Sequence, residues 1–213
     1  IGAGYPVEAE AILLCELDGV EADVDDDCQT VRRVLEKAGA TDIQQARDEA
    51  ERALFWAGRK NAFPAVGRMS PDYYCMDGTI PRRELARVLK GIGELGEAYG
   101  LRVANVFHAG DGNMHPLILF DANQPGEFER AEELGGRILE LCVEVGGTIT
   151  GEHGVGREKI HQMCVQFSPG ELATFRAAKR AFDPDELLNP GKNIPTPARC
   201  SEFRLTKSAG DAP

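Results

Sequence analysis

Two of the chain's four histidines bracket a short polar stretch, His108-Ala109-Gly110-Asp111-Gly112-Asn113-Met114-His115. If Gly110 to Asn113 form a tight turn, both imidazoles stand on facing strands at the same end of a hairpin, where directly opposed Cβ atoms are ~5 Å apart. Two imidazoles presented that way can grip one divalent ion at ~2.1 Å each. The plainer alternative is that both merely finish off the hairpin. A second stretch, Gly146 to Arg157, sets five glycines around a single Glu152-His153 pair. Glycines allow close approach of the backbone to a ligand. Glu152 can supply a third, oxygen ligand. If the segment is extended there, His153 points to the other side and is free to act as a base near neutral pH. A helix N-terminal entry is the competing reading of this loop. Two histidines and one carboxylate leave coordination positions open for a chelating molecule. A 2-hydroxy acid chelates through its carboxylate and hydroxyl, and a Lewis acid lowers that hydroxyl's pKa. A third cluster, Trp56-Ala57-Gly58-Arg59-Lys60 with Arg68 beyond it, gathers cations. Arg suits a small carboxylate because it binds bidentately; by itself the cluster reads as a charged helix C-terminus.

These residues need elements to hold them. Ala11 to Leu17 is a compact apolar run ended by Asp18-Gly19, which reads as a buried strand and a turn. The acidic run Asp23 to Asp27 precedes a helix over Cys28 to Lys37, where carboxylates meet the positive end of the macrodipole. It lacks the glycine and distal glutamate of a calcium loop. Thr41 to Ala46 reads as a short strand, Glu49 to Asn61 as a helix, Tyr73 to Ile80 as a strand, and Arg82 to Tyr99 as a helix closed by Gly100. Arg102 to His108 and Met114 to Phe120 form the hairpin strands. Glu127 to Val145 and Gly170 to Phe182 are further helices. The stretch from Pro195 onward has no periodicity and reads as a frayed tail. The order predicts an α+β fold: a ferredoxin-like antiparallel sheet, or two overlapping ones, with helices on one face.

Composition narrows the class. The chain has 213 residues, 42% hydrophobic and 28% charged, the balance of a globular protein whose core needs no disulfides. Acidic residues outnumber basic ones 35 to 24, a net charge of −11, which disfavours nucleic acid as a partner. No apolar run reaches the ~18 residues of a membrane span. The six cysteines, at 15, 28, 75, 142, 164 and 200, form no CxxC pair and read as buried free thiols in a reducing compartment. No GxGxxG follows a strand and no P-loop GxxxxGK(S/T) occurs. Ile1 is not an initiator Met, so the chain reads as a piece of a longer polypeptide.

Five stretches together resemble the C-terminal half of the FAD-linked 2-hydroxy-acid oxidoreductases, the family of glycolate oxidase and the D-lactate and D-2-hydroxyglutarate dehydrogenases. They are Trp56 to Pro64, Pro71 to Pro81, His108 to His115, Gly151 to Gly156, and Leu188-Asn189-Pro190-Gly191-Lys192. The resemblance runs from Gly4 to Ile194, and its paired HxGDGNxH and GEHG motifs are specific together. It implies a cap domain of the vanillyl-alcohol-oxidase type over 1–168, a C-terminal helix and a segment returning to an FAD domain over 169–195, and a flexible tail over 196–213.

The resemblance also implies roles. His108, His115 and Glu152 would hold a divalent metal (zinc, manganese or iron), Arg59 the substrate carboxylate, and Asn189 and Lys192 would approach the FAD. His153 would accept the hydroxyl proton as hydride leaves Cα for flavin N5; the flavin does the redox chemistry and the protein supplies geometry. The substrate would be a small 2-hydroxy acid, glycolate or D-lactate. The FAD domain would lie in the same full-length chain, and an iron–sulfur subunit would accept electrons. The location would be cytoplasmic, with membrane association only through partner subunits. Hydroxyglutarate-type relatives carry Asn and Lys where this chain has Leu117 and Cys75, which argues for a short monocarboxylate. This piece alone would be inactive. Two rival readings are a metal-dependent hydrolase and a metal-stabilised partner-binding module; structural zinc, however, normally has four protein ligands.

Overall fold

A computed structural model describes residues 4–6 and 8–210 of the chain. Two compact units, Ile1–Pro64 and Ala65–Pro213, divide it. No helix among the described residues is long and apolar enough to cross a membrane.

The first unit is built on α1 (Glu21–Lys37) and α2 (Glu49–Lys60). Val24, Cys28, Val31 and Leu35 form a half-buried stripe on α1 at helical spacing. The Asp48 side chain caps α2 by accepting the Glu51 N–H at 2.8 Å. Two expected strands, Ala11 to Leu17 and Thr41 to Ala46, are absent. Ile12 and Leu13 are 46% and 58% exposed, and neither helix of the unit has a fully buried residue. A strand needs a ladder partner and an apolar layer to cover it; the described residues of this unit form neither.

The second unit carries the sheet. After α3 (Ala62–Val66), which the division crosses, come β1 (Asp72–Cys75), a 3-10 turn (Arg82–Glu84), α4 (Leu85–Tyr99), β2 (Val103–Asn105), β3 (Pro116–Phe120) and α5 (Glu127–Glu144). The strands are antiparallel in the order β1-β3-β2, with Cys75 opposite Leu117 and Ala104 also opposite Leu117. The α+β class is therefore as expected. The sequence β-α-β-β-α is that of one split β-α-β unit rather than two. Its last strand is reduced to an isolated antiparallel bridge between Thr148 and Thr79.

Strand alternation explains the core. Tyr74, Met76, Ile118 and Phe120 join Val88 and Ile92 of α4 and Leu134 and Ile138 of α5 in one apolar cluster. Residues of opposite parity, Cys75, Leu117 and His115, belong to the other face. Gly100 closes α4 in the left-handed conformation, at φ 65°.

The C-terminal elements are α6 (Met163–Gln166), α7 (Pro169–Phe182) and α8 (Pro197–Gly210). Ser168 and Glu171 form a capping box on α7, and Pro169 sits at its first position. Pro197–Gly210, within the stretch 196–213 expected to be a flexible tail, forms α8. Cys200 is buried and disulfide-bonded to Cys164, 36 residues away. Phe203, one turn on, stacks on His161 with ring centroids 5.2 Å apart. Cross-linking and packing thus supply what helix propensity alone does not. The free-thiol expectation is corrected at these two positions; Cys15, Cys28, Cys75 and Cys142 are free, Cys142 buried as expected, Cys28 and Cys75 half-buried, and Cys15 exposed rather than buried. Burial pushes the Cys142 thiol up to about 12.

Candidate metal centre

The segment that follows β1, Met76 to Ile80, serves as a rail with one motif on each side. On one side the Met114 N–H donates to the Gly78 carbonyl at 2.8 Å, and the Ile80 N–H to the Gly112 carbonyl at 2.9 Å. On the other, Thr79 and Thr148 exchange both backbone hydrogen bonds, at 3.0 and 2.8 Å. The histidine hairpin and the glycine loop are therefore neighbours because both pair with the same five residues.

Within the hairpin, the His108 N–H donates to the Asn113 carbonyl at 3.0 Å and the Val106 N–H to the His115 carbonyl at 3.3 Å. His108 thus faces Asn113, and the two histidines are diagonal neighbours rather than directly opposed. The turn occupies Ala109 to Gly112, not Gly110 to Asn113. A Cβ on Gly112 (φ 73°) would collide with the Ile80 carbonyl, so this tight corner requires glycine. Diagonal pairs remain within reach of aromatic side chains, and the imidazole centroids are 5.6 Å apart.

Glu152 completes the cluster. Its carboxylate oxygens lie 3.5 Å from His115 Nε2 and 3.9 Å from His108 Nε2. One ligand atom from each of the three residues lies within 4.8 Å of the others. Ligands ~2.1 Å from a common ion stand ~3–3.5 Å apart in a tetrahedral site, so a modest contraction would seat a cation. The His115 side chain is 5% exposed, whereas His108 and Glu152 are 47% and 54% exposed; the set is anchored at its base and open above. Burial pulls the His115 pKa below the ordinary imidazole value, only partly opposed by the Glu152 charge. That direction favours the neutral imidazole, the form a metal ligand requires. Two imidazole nitrogens and one carboxylate suit a first-row divalent ion with open positions.

The His153 ring stacks on His115, with centroids 5.2 Å apart and planes at 20°. The segment is not extended, as the sequence reading supposed, and both Glu152 and His153 lie beside His115. The loop's N–H groups converge on Asp77, a buried acid that the sequence reading did not single out within the strand expected over Tyr73 to Ile80. Gly151 is also constrained. A Cβ there would collide with Thr79 Oγ1 and stand 2.6 Å from Asn113 Oδ1. Gly151→Ala should lower stability by ~1–3 kcal/mol through overpacking; an unchanged denaturant midpoint would contradict this packing account.

The remaining expected site residues are carried by other segments of the chain. Arg59 is half-buried in the last turn of α2, in the first unit. Asn189 and Lys192 share a turn in which Lys192 Nζ donates to Asn189 Oδ1 at 3.2 Å. Asn193, which the sequence reading did not single out, ties this turn to the glycine loop. Its N–H donates to the Gly156 carbonyl at 2.8 Å, and its Oδ1 accepts the Gly156 N–H at 2.9 Å.

Comparison with known proteins agrees with these motifs. Residues 1–193 match the family model of the FAD linked oxidases, C-terminal domain. The chain is 76% identical over 203 residues to the glycolate oxidase subunit GlcD of Escherichia coli K12, covering 95% of this chain and 41% of that protein. It is 37% identical over 196 residues to the glycolate oxidase subunit GlcD of Bacillus subtilis, covering 92% and 42%. Against the mitochondrial D-lactate dehydrogenase [cytochrome] of Arabidopsis thaliana it is 31% identical over 185 residues, covering 86% and 33%. The chain thus spans about two fifths of the length of the bacterial relatives and a third of the plant one.

Proposed function

We propose, since this chain belongs to the FAD-linked oxidases and carries their C-terminal domain, that it is the substrate- and metal-binding portion of a flavin-dependent 2-hydroxy-acid dehydrogenase that oxidises glycolate or D-lactate to the 2-oxo acid. The observation that carries this reading is the open His108, His115 and Glu152 cluster with the His153 ring stacked beside it. In the full-length enzyme residues 1–168 would act as a cap of the vanillyl-alcohol-oxidase type. The 169–195 segment, with Asn189 and Lys192, would return toward the FAD-binding part. The enzyme would work in the cytoplasm and pass electrons to an iron–sulfur partner subunit.

His108, His115 and Glu152 would hold the divalent ion, which when bound supplies Lewis-acid polarisation of a substrate hydroxyl. FAD, when bound, accepts the two electrons. The remaining work belongs to this chain's side chains. Arg59 would hold the substrate carboxylate through its planar fork. His153 Nδ1 or Nε2 would take the hydroxyl proton; stacked rather than hydrogen-bonded, its ring has nitrogens available for that transfer. Cys75 and Leu117 are paired across β1 and β3 on the face that carries His115, and burial holds the Cys75 thiol up at about 11. Neither offers a charge to a second carboxylate, which favours a monocarboxylate substrate.

The test is anaerobic mixing of the full-length protein with glycolate, D-lactate and D-2-hydroxyglutarate. The flavin absorbance should bleach with the first two and slowly or not at all with the third. No bleaching with any 2-hydroxy acid would overturn the reading. In the same protein Arg59→Lys should raise KM more than it lowers kcat, since a point charge replaces a bidentate fork. The 213-residue chain by itself should be colourless and inactive.

A further inference from the structure

We propose that Asp77 is the positioning residue of the metal centre: its buried carboxylate folds the Thr150–His153 loop so that Glu152 and His153 are delivered to the same side of the histidine hairpin. The proposal rests on the metal-binding reading above. Asp77 is fully buried. Its Oδ2 accepts the backbone N–H groups of Gly151, Glu152 and His153 at 3.2, 2.8 and 2.7 Å. Thr150 Oγ1 donates to the same oxygen at 3.1 Å. The Gly151 N–H is shared with the Asp77 backbone carbonyl at 2.8 Å.

Three consecutive N–H groups cannot converge on one atom in an extended strand, where successive amides point to opposite sides. They converge only when the backbone curls into a concave nest, a geometry that ordinarily receives an external anion. Here the anion belongs to the protein. The curl removes the strand alternation that would send Glu152 and His153 to opposite sides. It therefore accounts for a carboxylate 3.5 Å from His115 Nε2 and a ring stacked on His115 from adjacent residues.

The charge of Asp77 is matched inside the protein. Lys159, only 1% exposed, forms an ion pair with Asp77, and its Nζ donates to Thr150 Oγ1 at 3.3 Å. Thr150 Oγ1 thus receives from Lys159 while donating to Asp77, and its carbonyl accepts the Thr148 hydroxyl at 2.7 Å. Each polar group in the set has a partner, the condition under which a buried network specifies one conformation. A carboxylate carries the full negative charge that the three amides and the ammonium address, and an amide in its place supplies one acceptor and one conflicting NH₂. Because Asp77→Asn alone leaves Lys159 buried and unpaired, the informative variant is the double replacement Asp77→Asn with Lys159→Met.

Zn²⁺ and Co²⁺ titrations of the wild-type chain and the double variant, each first shown to be folded by circular dichroism, test the proposal. Zn²⁺ affinity should fall ~10- to 100-fold, the usual effect of losing a group that orients a ligand. The Co²⁺ visible spectrum, which reports ligand geometry rather than stability, should change. Equal affinity with an unchanged Co²⁺ spectrum would overturn the proposal. A wild-type chain that binds neither ion would instead defeat the metal reading. Hydrogen exchange of the wild-type chain provides an arm independent of metal and of the variant's folding. Glu152 and His153 are exposed residues, yet their amides should be among the slowly exchanging ones. Exchange at the rate of an open loop would overturn the clamp.

Discussion

Replacing His115 by alanine should strip the divalent ion from the protein, and of the three ligand positions this one should show the largest loss. His115 is the buried member of the set, and burial pulls its pKa below the ordinary imidazole value, which favours the neutral ligand form. The other two ligands are half-exposed and cannot close around an ion without it. Loss of a ligand should exceed the ~10–100-fold in affinity that loss of an outer-shell partner costs. His108→Ala should follow it closely and disturb folding less, since its side chain is 47% exposed. Elemental analysis after dialysis against a limiting Zn²⁺ or Mn²⁺ buffer reads the result. Retained stoichiometric metal in His115→Ala would mean that the ion, if any, sits elsewhere.

His153→Asn separates the base from the ligands. In the full-length enzyme it should keep the metal and lose ~10²–10⁴-fold in kcat, the range for removal of a general base. The asparagine retains a polar planar group over His115, so the stack and the loop should survive. Loss of metal together with activity would make His153 a ligand and reverse the assignment. A kcat within a few-fold of wild type, with metal retained, would leave proton removal to another group.

The grouping of His108, His115 and Glu152 was more legible in the sequence than the architecture was. Two histidines seven residues apart around a glycine-containing turn can hardly avoid one another on adjacent strands, and their rings do meet. Helix α5 was equally readable, because Ala131, Leu134, Gly135, Ile138, Leu139 and Cys142 repeat at helical spacing and are all buried. What failed was what depends on distant partners. An apolar run such as Ala11 to Leu17 looks like a buried strand whether or not a neighbouring strand exists, and none among the described residues pairs with it. Helix α8 shows little apolar periodicity, and its order comes from Cys164 and His161, more than thirty residues upstream of their partners. Asp77 was not singled out for the same reason: it sits within a stretch that reads as one strand, Tyr73 to Ile80, while its partners lie some 73 to 82 residues downstream. The direction of His153 then followed wrongly, since strand alternation was assumed for a backbone that a remote carboxylate curls.

Anomalous diffraction from crystals of the chain grown with Zn²⁺, collected at the zinc edge, tests the central claim most directly. The account predicts one strong peak ~2.0–2.2 Å from His108 Nε2, His115 Nε2 and a Glu152 oxygen, with His153 beside it but not bound. A peak on other residues, or none at this cluster under saturating metal, would contradict it.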